Sequence, residues 1–144
     1  MVARVGRPLR FPFRSLGEPM PSVLRPVLPV EVGGLHRAPH AGLLDTGSLH
    51  NRFGAFVARA AGIELADAPV EVIALGGFRT QARRASVELS IGEATWTAPV
   101  WFCDPWPLGF HLLGLKGFFD HFAVTIRAAR YEIELTQEPA AGLS

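Results

Sequence analysis

Fifteen glycines and twelve prolines are spread through 144 residues. The runs between them are rich in β-branched and aromatic side chains, a pattern of many short strands and turns. A chain of this length makes one compact domain, and it can bury enough surface to fold without a metal or disulfide staple. Apolar residues reach 49%, charged residues only 19%, and mean hydropathy is +0.23, which excludes disorder for the bulk of the chain. The single cysteine, Cys103, excludes a disulfide framework and a cysteine-based zinc site.

The net charge of +1 hides an asymmetry. Residues 1–25 carry Arg4, Arg7, Arg10, Arg14 and Arg25 against Glu18, a local +4, whereas the rest carries nine basic and twelve acidic side chains. Residues 1–22 therefore read as a basic Pro/Arg-rich arm, solvated and poorly ordered, before a domain over 23–136 and a frayed tail over 137–144. The acidic body is unsuited to nucleic acid. Pro8, Pro12, Pro19 and Pro21 interrupt any secretory apolar segment. The apolar stretch 98–119 holds Asp104, Lys116, three prolines and three glycines, so it cannot span a membrane as a helix. The expectation is a cytoplasmic protein with no membrane or nucleic-acid partner.

Residues 25–32 alternate and end at Gly33-Gly34, a strand entering a turn. Ala41–Leu44 is a short apolar strand that stops at Asp45-Thr46-Gly47-Ser48. Leu49, Phe53, Phe56, Val57 and Ala60 then fall at helical spacing with Gly62 as C-cap, predicting one amphipathic helix of about three turns. Val70–Leu75 and Phe78–Ile91 flank Gly76-Gly77, a hairpin signal because primed turns need positive φ at their centre. Further strands are expected at Trp96–Phe102 and His111–Gly114, one helical turn at Phe118–His121, and a last hairpin from Ala123–Ile126 and Tyr131–Leu135.

Chemistry centres on Asp45-Thr46-Gly47. About 0.02 such tripeptides are expected by chance from this chain's composition. In isolation the tripeptide also fits an Asx-type turn at a strand end. The context weighs for more: an apolar strand leads into Asp45, the Gly-Gly hairpin follows about thirty residues on, and the apolar pair Leu112-Leu113 ends at Gly114. In Leu43–Ser48, in Leu75-Gly76-Gly77-Phe78 and in Leu112-Leu113-Gly114, the chain resembles the retropepsin-like, single-lobe aspartic proteases. The three landmarks stand in the family's order and span about residues 25–135.

The resemblance implies a mainly β fold: a closed, barrel-like acid-protease lobe with one amphipathic helix and a flap hairpin, active as a homodimer. Water activation needs two neighbouring carboxyls that share one proton. Asp67, Asp104 and Asp120 lack a Thr-Gly or Ser-Gly sequel, so the second carboxyl must come from the Asp45 of another copy. Thr46 is then expected to bond across the dimer axis, and Gly47 to leave space beside the carboxylates and offer its N–H. Ser48, as in pepsins, is expected to donate to the outer oxygen of Asp45 and stabilise its charged form, favouring an acidic optimum. Leu75, Gly76, Gly77 and Phe78 would form the tip that closes over an extended peptide. Leu112, Leu113 and Gly114 would support the catalytic loop from behind, the glycine giving clearance. One departure stands beside them: Leu115-Lys116 occupies the place where the family often has Arg followed by Asp or Asn. Leu49-His50-Asn51-Arg52 likewise offers no acid to answer.

Terminal strands, Tyr131–Leu135 among them, are expected to join an intersubunit sheet, and the basic arm to be dispensable or self-cleaved. His36, His40, His50, His111 and His121 show no ligand spacing, so neither a metal nor another cofactor is expected. Cys103 reads as buried or incidental, and Trp96, Trp101 and Trp106 as packing residues. A non-catalytic protease-like dimerisation or peptide-binding module is the alternative reading, and a β-sandwich ligand-binding domain a third.

Overall fold

A computed structural model describes residues 6–16, 23–34 and 38–139. The elements are β1 (Leu9–Pro12), β2 (Arg14–Ser15), β3 (Leu24–Arg25), β4 (Val27–Val32), β5 (His40–Leu44) and β6 (Asn51–Gly54). They continue with α1 (Ala55–Ala61), β7 (Val70–Leu75), β8 (Phe78–Ile91), β9 (Ala94–Asp104), β10 (His111–Leu113), β11 (Phe122–Arg127) and β12 (Glu132–Gln137). The chain is mainly β, as its glycines and prolines predict.

The large sheet runs β4-β5-β10-β6-β9-β8-β7, and an added β4–β8 pairing, with Val32 opposite Leu89, closes six of those strands into a barrel. Period-two alternation sends one side of each strand inward. Leu28, Val30, Val32, Phe53, Leu89, Ile91, Val100, Phe102 and Leu113 fill the interior, each at most 1% exposed. Strand β7 lies outside the ring, paired only with β8 among the described residues. Gly76 and Gly77 take φ of +56° and +88° between Leu75 and Phe78, the left-handed pair that a two-residue hairpin requires.

A second sheet, β1-β12-β11, packs on the same core through Ile133, Leu135 and Phe122. Trp96 joins it to the barrel, with its ring 4.8 Å from Phe122 and Nε1 donating to the Gly117 carbonyl (2.8 Å).

Five expectations are corrected. The helix covers only Ala55–Ala61, about two turns. Leu49 sits in the preceding loop and Phe53 in β6, because Asn51–Gly54 is claimed by sheet pairing with β9 and β10. The helix buries Ala55, Val57 and Ala58, leaving Phe56 48% exposed; Gly62 does cap it, with φ of +72°. Phe118–His121 is a series of hydrogen-bonded turns, Phe119 N–H to Gly114 and His121 N–H to Phe118, with no helix. Leu9–Pro12, in the stretch expected to be a solvated arm, is strand β1 paired with Glu132–Leu135, and Leu9 and Phe11 pack on the core. At the other end Gln137 closes β12, and its Nε2 donates to the Thr95 carbonyl. Lastly, β12 is paired on both edges within the chain, by β1 and β11, so Tyr131–Leu135 has no free edge for a second subunit. A strand has only two edges. His36, Arg4, Glu18, Pro19 and Pro21 lie outside the described residues.

Candidate active site

Asp45 follows β5 where that strand runs parallel to β10, in register Leu43 with Leu112 and Leu44 with Leu113. Two parallel strands side by side deliver two loops to one end of the sheet. The Asp45 N–H donates to the Leu113 carbonyl (3.0 Å), and the Ser48 N–H to the Asp45 carbonyl (3.0 Å), closing a turn. The Gly47 N–H donates to Asp45 Oδ1 at 2.9 Å, as expected for Gly47. An Asx turn makes the same bond, so this contact alone fits both readings of the tripeptide. Thr46 and Gly47 are exposed and Asp45 is partly buried, which presents the carboxylate at the rim of the loop.

Ser48 departs from expectation. Its buried hydroxyl donates to the His50 carbonyl (2.7 Å) and ties down the loop instead of facing the carboxylate, so the basis for expecting an acidic optimum is absent.

The Leu112-Leu113-Gly114 segment does lie behind the loop. Leu115 N–H donates to the Ser48 carbonyl (2.9 Å) and Lys116 N–H to that of Leu49 (2.8 Å), and Gly114 N–H donates to Asn51 Oδ1 (3.0 Å). A Cβ on Gly114 would meet the His50 carbonyl and stand 2.7 Å from the Ser48 carbonyl oxygen, both backbone atoms that cannot swing aside. Gly114→Ala is expected to cost about 2–3 kcal/mol, measured as a lowered urea midpoint at unchanged slope.

The hairpin tip Gly76-Gly77 is exposed, and Phe78 packs edge-on against Trp106, ring centroids 6.3 Å apart. Thr80 Oγ1 holds the loop that carries Trp106 by donating to the Pro105 carbonyl (2.6 Å). Cys103 is 1% exposed, and burial pushes its thiol up to about 11, so it stays protonated at neutral pH. Among the described residues no three His, Cys, Asp or Glu side chains gather as metal ligands, and no helix is long and apolar enough to cross a membrane.

Two residues to which sequence reasoning gave no supporting role hold this region together. Asn51, fully buried, bonds the Gly114 N–H on one side and the Pro99 carbonyl (3.4 Å) on the other. His111 accepts from the Gly54 N–H through Nδ1 (3.1 Å) and stacks on Phe53 with ring centroids 4.8 Å apart. Burial pushes His111 down to about 4, with His40 adding to the effect. Neither role has a local signal, because the partners lie far apart in sequence.

No protein-family profile matches the chain, and no curated protein matches it in sequence. Solved structures do match. A retropepsin-like aspartic protease from Rickettsia conorii superposes with a TM-score of 0.64 at 14% identity, covering 93% of this chain and 92% of that one. The retroviral protease-like domain of Ddi1 from Leishmania major gives a TM-score of 0.58 at 12% identity, over 84% and 99% of the two chains. Both matches span most of either chain, and this chain has the retropepsin-like fold.

Proposed function

We propose that the chain is an aspartic endopeptidase that acts as a homodimer, with Asp45 of each subunit forming the catalytic pair. The observation that carries this reading is the half-exposed Asp45-Thr46-Gly47 loop, backed by Leu112–Gly114, on a retropepsin-like fold. The exposed apolar side chains Leu49 (50%) and Leu115 (42%) flank the loop and supply surface for a second copy.

With two carboxyls within hydrogen-bond reach, like charges cannot both remain, so the pair holds one proton. The ionised partner takes a proton from a bridging water, whose oxygen adds to the scissile carbonyl carbon. The protonated partner gives its proton to the carbonyl oxygen as negative charge develops there. The tetrahedral adduct collapses when the amide nitrogen is protonated and the C–N bond breaks. Thr46 and Gly47 position the loop, and the Leu75–Phe78 tip closes over an extended peptide and sheds water.

The occupied edges of β12 and the absence of the Arg/acid pair after Gly114 favour a second reading, a peptide-binding module that does not cut. Casein and a peptide library separate the two. For the protease, cleavage is blocked by pepstatin, and specific activity rises with protein concentration in step with dimer measured by sedimentation. A dimer with no cleavage at any concentration gives the second reading. Activity independent of concentration in a monomer overturns the shared site.

A further inference from the structure

One face of the sheet, turned away from the barrel core, carries a row of side chains leading from the catalytic loop towards the hairpin. Register sets Leu112, Arg52, Trp101 and Arg84 side by side on β10, β6, β9 and β8, and residues paired across strands project to the same face. The Arg84 guanidinium lies 5.6 Å from the centre of the Trp101 ring, within cation–π range. His50, its ring 5.8 Å from that of Trp101, forms a β-bridge with Lys116 beside the Asp45 loop. Glu71, on hairpin strand β7, is the acid that approaches this group. Its carboxylate stands 3.8 Å from Arg52 Nη2, and its side chain is 45% exposed. That separation is longer than a hydrogen bond.

Two donors here are unused. Arg52 has a side chain only 11% exposed, yet its Nη1 is buried without a hydrogen-bond partner among the described residues, and so is Nε1 of Trp101. Buried N–H groups in native proteins nearly always have an acceptor, and an orphan calls for a specific one. Charge agrees: His50 is held below its usual pKa first by burial and then by Arg52, with Lys116 and Arg84 adding and Glu71 alone opposing.

The geometry points to a subsite for an acidic side chain of the bound peptide, with Arg52 as the specificity-determining residue. Its own Glu71 is the group that the ligand carboxylate displaces. The inference rests on the peptidase reading and deepens it by naming the substrate class. A planar carboxylate suits a guanidinium whose neighbours are the weakly accepting Cys103 thiol and a Glu71 carboxylate 3.8 Å away. An extended peptide between the Asp45 loop and the hairpin would present such a side chain to this face.

The probes are apolar peptides of about eight residues, with one Glu, or the matched Gln, stepped through every position. Binding is read by fluorescence anisotropy on Asp45→Asn protein, and cleavage as kcat/KM with the unaltered chain. At one position Glu is expected to bind about tenfold tighter than Gln. The ratio falls to about one in Arg52→Met, which keeps the alkyl stem, and rises in Glu71→Gln, which removes the competitor. Arg84→Gln, a surface change, is expected to lower the ratio as well and serves if Arg52→Met does not fold. Equal affinity for Glu and Gln at every position, or a preference unchanged in Arg52→Met and Arg84→Gln, overturns the subsite. Glu preference in binding without any cleavage keeps the subsite and removes the peptidase reading. Cleavage with no Glu preference does the reverse.

Discussion

Asp45→Asn is expected to lower kcat by about 10³-fold or more on any peptide the protein cleaves, while leaving the fold and the dimer in place. Asparagine has nearly the shape of aspartate, and its side-chain oxygen can still accept the Gly47 N–H that Asp45 Oδ1 accepts at 2.9 Å. What disappears is the group that takes the proton from water. Because each cleft would need one Asp45 from each subunit, mixing unaltered and Asp45→Asn chains has a distinctive result. Relative to the same total amount of unaltered chain, an equal mixture, once exchanged, retains about a quarter of the activity if both carboxyls are required, about half if each subunit cleaves on its own, and about three quarters if one carboxyl per dimer suffices. Unchanged circular dichroism and sedimentation show that the fold and the dimer survive. A fully active Asp45→Asn protein removes the hydrolytic assignment altogether.

Stability is expected to fall steeply in acid because of His111. In the folded chain its Nδ1 accepts from the Gly54 N–H, and Phe53 and Trp106 cover its faces, with rings 4.8 and 6.3 Å away. Protonation would set two donors against each other in a site only 5% exposed. The folded-state pKa is pushed down to about 4, by burial first and by His40 second, against 6.5 for a free histidine. Between those values the unfolded chain binds more protons than the folded one, so stability rises with pH across that window. The contribution is fully present above pH 6.5 and lost as pH falls towards 4, amounting to about 3 kcal/mol. Burial also lowers the pKa of His40, which acts in the same direction. Urea denaturation at pH 7 and pH 4 measures the loss directly. His111→Gln keeps an acceptor for Gly54 but cannot titrate, and it is expected to lose about 3 kcal/mol less between the two pH values. Equal losses in both proteins overturn the role given to His111. The expected acidic optimum loses support from two sides: Ser48 faces the His50 carbonyl, and the scaffold weakens in acid.

The parts of the fold that could be read from the chain are those set by near neighbours. The β7–β8 turn falls at Gly76-Gly77 because two consecutive left-handed residues suit glycine, and Val87, Leu89 and Ile91 alternate because a strand places every second residue on the core face. Helical spacing in residues 49–60 misled, because Phe53 satisfies the same apolar pattern from a strand. Its pairing partners, Phe102 on β9 and the β10 segment, lie about fifty or more residues away.

By itself, the sequence determined a mainly β chain, one glycine hairpin, and an Asp-Thr-Gly loop with a glycine-ended apolar segment to back it. Each is a matter of φ preference, side-chain period or residue chemistry within a few positions. Only the tertiary structure decided that Leu9–Pro12 is a strand, that β12 has both edges filled, that Ser48 bonds His50, and that Arg52 and Trp101 bury donors without a hydrogen-bond partner among the described residues. Hydrogen bonds and burial depend on which strands lie side by side. That adjacency follows from closing the barrel, a cooperative property of the whole chain that no short window contains.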